Sequence, residues 1–352
     1  MRVGIDLMGS ETPPQELYQA VIKAADHFDA SYTFIVLATQ SIVNELSSIP
    51  HSSQHSLNAA RIEYHLVHEI ITMGDEPLSA IRHKKGSSLV TGIRLLKKKQ
   101  IHAFISTGNT GALIAAASLS LPMLPGINRP ALLAELPTKK GPMVVVDVGG
   151  NVSYKAHHLV QFAFMGAAYQ RCMNGHSLPK VGLLNIGVES KKGTVEHRLA
   201  YQLLENQKKS AFLTFIGNVE GRALFQGKVD VLVTDGFTGN VLLKSIEGVS
   251  LFILDSIQSL CKDQDPGSFT YIHKELRKQF HHEEYRGAIV AGIDGVVVKC
   301  HGNSSPLALF NGIKGAITLV QKKFLQGITE SLADVQASND PAAFVDQESK
   351  SI

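Results

Sequence analysis

Short apolar, β-branched runs recur along the whole chain, and most stop at a glycine, asparagine, serine or aspartate before a helical stretch begins. The clearest runs are residues 2–6, 33–37, 62–67, 103–106, 143–147, 181–185, 212–216, 229–234 and 295–300. Most are continuously apolar rather than alternating, as strands of a parallel sheet covered on both faces should be. Helical stretches lie between them, at 15–27, 87–98, 157–172 and 194–205. The alternation predicts right-handed β-α-β crossovers. More than eight strands at unequal spacing favour an open, doubly wound α/β sheet over an eight-fold barrel. A length of 352 residues suits one large α/β unit or two lobes.

Composition excludes other classes. With 44% hydrophobic and 18% charged residues, the chain is neither disordered nor a coiled coil. The net charge of +3 comes from scattered lysines and arginines, which argues against a nucleic-acid binder. Three distant cysteines, Cys172, Cys261 and Cys300, build neither a disulfide framework nor a zinc site, and a reducing cytoplasm is the expected setting. Asp6 comes too early for a signal peptide. The longest apolar stretch, 111–127, is broken by Pro122 and Pro125, so no membrane-spanning helix is expected.

Five strand ends carry small polar loops. They are Thr107-Gly108-Asn109-Thr110-Gly111, Gly149-Gly150-Asn151, the turn at Gly187, Asp235-Gly236-Phe237-Thr238-Gly239-Asn240, and His301-Gly302-Asn303-Ser304-Ser305. Ligands of open α/β sheets bind at the carboxyl ends of strands. Glycine lets backbone N–H groups approach an anion, and a helix N-terminus favours negative charge. Gly and Asn are also ordinary turn residues, but five such loops in one chain favour an anion site. Walker, dinucleotide and serine-hydrolase fingerprints are missing from the sequence.

The loops, taken in order, resemble the PlsX family of phosphate acyltransferases over nearly the whole chain. The carriers are Asp6-Leu7-Met8-Gly9, Arg82-His83-Lys84-Lys85 with Ser87-Ser88, Ser106 to Ala112, and Pro125-Gly126-Ile127-Asn128-Arg129-Pro130-Ala131. They continue with Gly182-Leu183-Leu184-Asn185-Ile186-Gly187, Val219-Glu220-Gly221-Arg222, Asp235 to Asn240, Glu284-Tyr285-Arg286-Gly287-Ala288 and His301-Gly302. The resemblance implies a three-layer α/β/α, Rossmann-like sandwich, similar to phosphotransacetylases and isopropylmalate dehydrogenase. It implies transfer of a fatty acyl group from acyl carrier protein to inorganic phosphate for phospholipid synthesis, with no cofactor and no metal. A cytoplasmic homodimer at the membrane surface, passing its product to the membrane glycerol-3-phosphate acyltransferase (PlsY), is likewise implied. A short-chain phosphotransacetylase acting on acyl-CoA and a non-catalytic scaffold for lipid-synthesis enzymes are the alternatives. The sequence departs from the family pattern at Ser10-Glu11, Gly86, Ser153, Val188 and Thr194.

One catalytic domain is expected over 1–332, with a helical hairpin at about 245–282 and a polar tail at 333–352. Lys192, beside Gly187 and Gly193, is the first candidate to stabilise charge in the transition state. Asn240 suits either a donor to phosphate or a helix cap. His301 stands out among 15 histidines by following a strand and preceding a glycine. Cys300 reads as a buried thiol. Ser106, Gly108, Asn109, Thr110 and Gly111 form the best phosphate cradle, with Ser87 and Ser88 as a second. Arg129 suits a phosphate clamp or a structural ion pair, and Asn151, Asp235 and Gly236 complete the set. Arg82, Lys84 and Lys85, with the basic stretch 271–278, are the candidate surface for an acidic carrier protein.

Overall fold

In the computed structural model the described residues are 1–49, 61–207, 210–260, 275–276 and 286–338. The chain divides into two compact units. The first is Met1–Pro122 with Asn240–Gln321; the second is Met123–Gly239 with the chain from Lys322 onward.

The first unit carries strands β1 (Arg2–Asp6), β2 (Thr33–Ala38), β3 (Ile62–Leu66), β4 (Ala103–Ser106), β10 (Ala288–Ala291) and β11 (Val296–Lys299), in the order β3-β2-β1-β4-β11-β10. All neighbours are parallel except β10 and β11. Helices α1 (Pro14–His27), α2 (Gln40–Ser47), α3 (Pro77–His83), α4 (Ser88–Lys97) and α5 (Thr110–Ser120) fill the crossovers, and α9 (Pro306–Gln321) follows β11. Gly92 of α4 lies against the Phe104 ring, while Gly312 of α9 faces Ile105. Successive strand residues point to opposite faces, so α4 and α9 cover the two sides of β4. Val3, Ile5, Phe34, Val36 and Phe104 are fully buried between them.

The second unit carries β5 (Ala131–Thr138), β6 (Gly141–Val146), β7 (Lys180–Leu184), β8 (Thr214–Val219) and β9 (Val231–Val233), in the order β5-β6-β9-β7-β8. The β5–β6 pair is an antiparallel hairpin; the remaining pairs are parallel. Helix α6 (Ala156–Tyr169) is buried along nearly its whole length and ends in a π turn at Gln170–Asn174. Gly166 lets α6 approach Val231 and Val146, where a Cβ would stand 2.4 Å from a Val231 methyl. Helix α7 (Val195–Asn206) sets Tyr201 against Phe215, and α10 (Phe324–Ser338) lays Phe324 edge-on to Tyr169.

Strand pairing is therefore mixed, not wholly parallel: β5 pairs antiparallel with β6 and β10 with β11, and β5 and β10 are strands that a reading by β-branched runs did not mark. Ala131-Leu132-Leu133-Ala134-Glu135-Leu136 is made of good helix formers. Its pairing with β6 through Leu133–Val146 to Thr138–Gly141 overrides that propensity. Helix α8 (Gly236–Leu260) is the first arm of the expected hairpin; the second arm, 271–280, lies outside the described residues except for 275–276. The apolar helix of membrane-spanning length found among the described residues is Gly236–Ser259, rather than the stretch at 111–127.

Candidate active site

In the first unit the carboxyl ends of β1, β4 and β11 lie side by side, with Asp6, Ser106 and Lys299 in register. Asp6 is buried. It accepts from Met8 N–H at 2.9 Å and Ser106 Oγ at 2.8 Å, and Ser88 also hydrogen-bonds it. Burial raises its pKa to about 6 against the opposing pull of these bonds and of the Lys299 charge. Ser106 Oγ in turn accepts Gly108 N–H at 3.1 Å. Lys299 is 6% exposed, and its ammonium donates to the carbonyls of Thr107, at 3.4 Å, and Cys300. Burial lowers the Lys299 pKa to about 8 and pushes the Cys300 thiol up to about 11.

The cradle residues divide by what their polar groups already hold. Asn109 caps α5 by accepting Ala112 N–H at 3.0 Å, and its amide donates to the carbonyls of Thr72, Met73 and Asp75. Gly111 packs against Pro77, where a Cβ would stand 2.7 Å from the ring. Ser87 caps α4 through Val90 N–H. Thr110 and Gly111 are exposed on the first turn of α5, where helix amides have no intrahelical acceptor. Lys84 is a loop brace, donating to Ile70 O at 3.0 Å and pairing with Asp75 at 2.7 Å.

His301 follows β11, half-buried, with Nε2 3.3 Å from a Glu247 carboxylate oxygen on α8. Lys244, one turn earlier, holds the other oxygen at 2.8 Å. Gly302 O accepts from Ser10 Oγ at 2.6 Å and from the amides of Glu11 and Thr12, so the departure at Ser10-Glu11 supplies a clamp on this loop.

In the second unit, Asp147 at the end of β6 is buried and accepts from Leu132, Gly149 and Gly150 N–H and from Asn151 Nδ2. Burial raises its pKa despite these four bonds. Asn151 also donates to Pro130 O, and its own carbonyl accepts Gly236 N–H at 2.8 Å. Asp235 caps α8, taking Thr238 N–H at 2.9 Å and Thr238 Oγ1 at 2.7 Å. The Gly236 amide thus goes to Asn151 O and the Thr238 amide to the Asp235 carboxylate. Asn240, one turn further on, is not the cap, and its side chain is exposed.

Lys192 is exposed on the loop after β7. The loop closes through Asn185 Nδ2 to Lys192 O at 3.1 Å and Lys192 N–H to Glu189 O at 3.1 Å. Gly193 turns it at φ 86°. Arg129 is exposed and donates to Ser153 O at 3.1 Å, with the Ser153 hydroxyl at 3.5 Å.

The hydroxyls of Thr234, just after β9, and Ser304, just after β11, are buried without a hydrogen-bond partner among the described residues. Asp6, Asp147, Glu247 and Lys299 are the polar groups that the reading by loops left out as site residues. Lys299 had a signal, a lone cation closing the apolar run Val296-Val297-Val298.

This architecture, a mixed sheet with flanking helices and polar loops at its strand ends, is the phosphotransacylase fold. A phosphotransacetylase from Streptococcus pyogenes superposes with a TM-score of 0.58 at 15% identity, covering 92% of this chain and 94% of that one. A branched-chain phosphotransacylase from Enterococcus faecalis superposes at 0.53 and 16% identity, covering 91% and 100%. At such identities the likeness shows the fold alone. Residues 1–327 match the family described as Fatty acid synthesis protein, and the chain belongs to this family, that of the PlsX proteins. A phosphate acyltransferase from Chlamydia abortus is 39% identical over 335 residues, 95% of this chain and 99% of the relative. One from Caldanaerobacter subterraneus is 38% identical over 340 residues, 94% and 97%.

Proposed function

We propose that this chain transfers a fatty acyl group from acyl carrier protein to inorganic phosphate, releasing acyl phosphate and the carrier thiol. The observation that carries the reading is the 38–39% identity, over nearly the whole chain, with proteins named phosphate acyltransferase. A phosphate oxygen attacks the thioester carbonyl carbon, the C–S bond breaks and thiolate leaves. Thiolate is a good leaving group, so proximity, orientation and charge stabilisation supply most of the catalysis. Lys192 and Asn240, both exposed polar groups on strand-end loops or helix starts, suit contact with the phosphate or the developing oxyanion. His301 suits a proton-transfer or anion-binding role.

Helix α8 supports a homodimer at a membrane surface. Phe237, Val241, Val249, Phe252 and Ile253 are exposed on it, an apolar stretch of the kind that a partner or lipid surface covers. A second copy covers part of this helix, and lipid meets the region near its end.

The test mixes purified protein, acyl carrier protein thioester and phosphate, and traps acyl phosphate with hydroxylamine. Hydroxamate formation with the carrier donor that requires both enzyme and phosphate, above the direct reaction of hydroxylamine with the thioester, supports the reading. Activity with acyl-CoA alone supports the short-chain alternative, and no turnover with either donor supports the scaffold.

A further inference from the structure

The pair formed by Glu247 and His301 has no counterpart in the sequence motifs. Glu247 is on α8, more than fifty residues before His301, yet its Oε1 lies 3.3 Å from Nε2 while Lys244 holds Oε2 at 2.8 Å. The backbone beside the imidazole is fixed as well: Gly302 O takes three donors from Ser10, Glu11 and Thr12, and Ser304 N–H closes on His301 O at 3.1 Å. A carboxylate at one ring nitrogen sets which nitrogen carries the proton.

We infer that Glu247 is a positioning residue: it holds His301 as the Nε2–H tautomer and so makes Nδ1 the acceptor nitrogen of the ring. The inference rests on the reading of His301 as a participant in acyl transfer, but the tautomer is a property of the pair alone. Glu247 and, through it, Lys244 stand on the Nε2 side of the ring from α8, and Glu11, on the loop after β1, approaches the next residue, Gly302. Glu247 stays ionised to low pH. Burial acts to raise its pKa, but the hydrogen bonds and charges of His301 and Lys244 hold it at about 2. A neutral ring therefore meets a carboxylate acceptor at Nε2.

The test is long-range ¹⁵N–¹H correlation on histidine-labelled full-length protein at a pH where the ring is neutral, with the His301 signals assigned by their loss in His301→Asn. The expected result is a protonated Nε2 and an unprotonated Nδ1 in the wild type, and a mixture of tautomers in Glu247→Ala. A ring protonated at Nδ1 in the wild type overturns the inference, and this measurement needs no folded Glu247 variant. Kinetics give the second arm. Glu247→Ala should lower kcat by on the order of tenfold with little change in KM for phosphate, and should cost nothing further in the His301→Asn background. An equal loss in both backgrounds would mean that Glu247 serves the fold rather than His301. If the wild type shows no acyl transfer at all, the functional reading fails while the tautomer result still decides the pairing.

Discussion

Ser106 on β4 donates its hydroxyl to Asp6 on the neighbouring β1 at 2.8 Å, and the same oxygen accepts the Gly108 amide at 3.1 Å. One hydroxyl therefore satisfies a buried carboxylate and shapes the first glycine of the loop. Ser106→Ala leaves both groups short of a partner in a buried place, which costs about 1–3 kcal/mol for each group so stranded. Urea unfolding should show a loss of this order, with the slope unchanged. A variant as stable as the wild type would mean that Asp6 and Gly108 find other partners.

Asp6 and Lys299 make stability depend on pH in two separate windows. The folded-state pKa of Asp6 is raised from 3.8 to about 6, so on acidification the folded chain takes up this proton before the unfolded chain does. Stability from this group rises as pH falls from about 6 to 3.8. The pKa of Lys299 is lowered from 10.5 to about 8, so the folded chain gives up this proton first as pH rises. Stability from this group rises between about pH 8 and 10.5. Near neutrality burial therefore costs stability at both groups, partly offset by the attraction of each for the other's charge. Thermal unfolding across pH should show the alkaline gain in the wild type and its disappearance in Lys299→Met. The same gain in both proteins would assign it to other groups.

Lys192 is exposed, with its stem lying over Gly187, and it buries little that matters for folding. Lys192→Ala should lower turnover by on the order of 10²-fold, the scale of losing one preorganised donor to transition-state charge. Its unfolding free energy should stay within about 0.5 kcal/mol of wild type, as for other surface changes. Lys191→Ala controls for the neighbouring cation and should be close to wild type in both respects. Equal loss in the two variants would point to the net charge of the loop rather than to Lys192.

The sequence was most legible where local chemistry and tertiary packing agree. The parallel strands and the helices α1, α4, α6 and α7 fall within a few residues of their expected places, because apolar runs specify them locally, with Ser87 and Thr194 capping α4 and α7. β5 was not legible: its Ala-Leu-Leu-Ala run prefers a helix, and its strand form comes from tertiary pairing such as the hairpin with β6. Within the site, position relative to strand ends was readable but the direction of polar groups was not. Asn109 and Asp235 look like ligand donors by spacing, yet their side chains are taken up by helix amides and loop carbonyls. Lys84, read as part of a docking surface, is also tied to Asp75 and Ile70, which the sequence did not show. Glu247 had no local signal, since its partner His301 is remote in sequence.

Asp235 and Asn240 separate folding from function within one helix. Asp235 is buried and satisfies two groups of Thr238 at the start of α8. Replacing an N-cap of this kind by alanine costs about 0.5–2 kcal/mol. Asn240 is exposed, one turn into the helix, and caps nothing. Asn240→Ala should therefore leave unfolding unchanged and lower turnover. If Asn240 touches the phosphate in both the ground state and the transition state, the loss appears as a raised KM for phosphate; if it meets only the oxyanion, kcat falls alone. Asp235→Ala should lower the melting temperature whether or not activity survives. Measuring melting temperature and both kinetic constants on the two variants gives six readings. An unstable Asn240→Ala with normal turnover once folded would remove Asn240 from the site and return it to the helix.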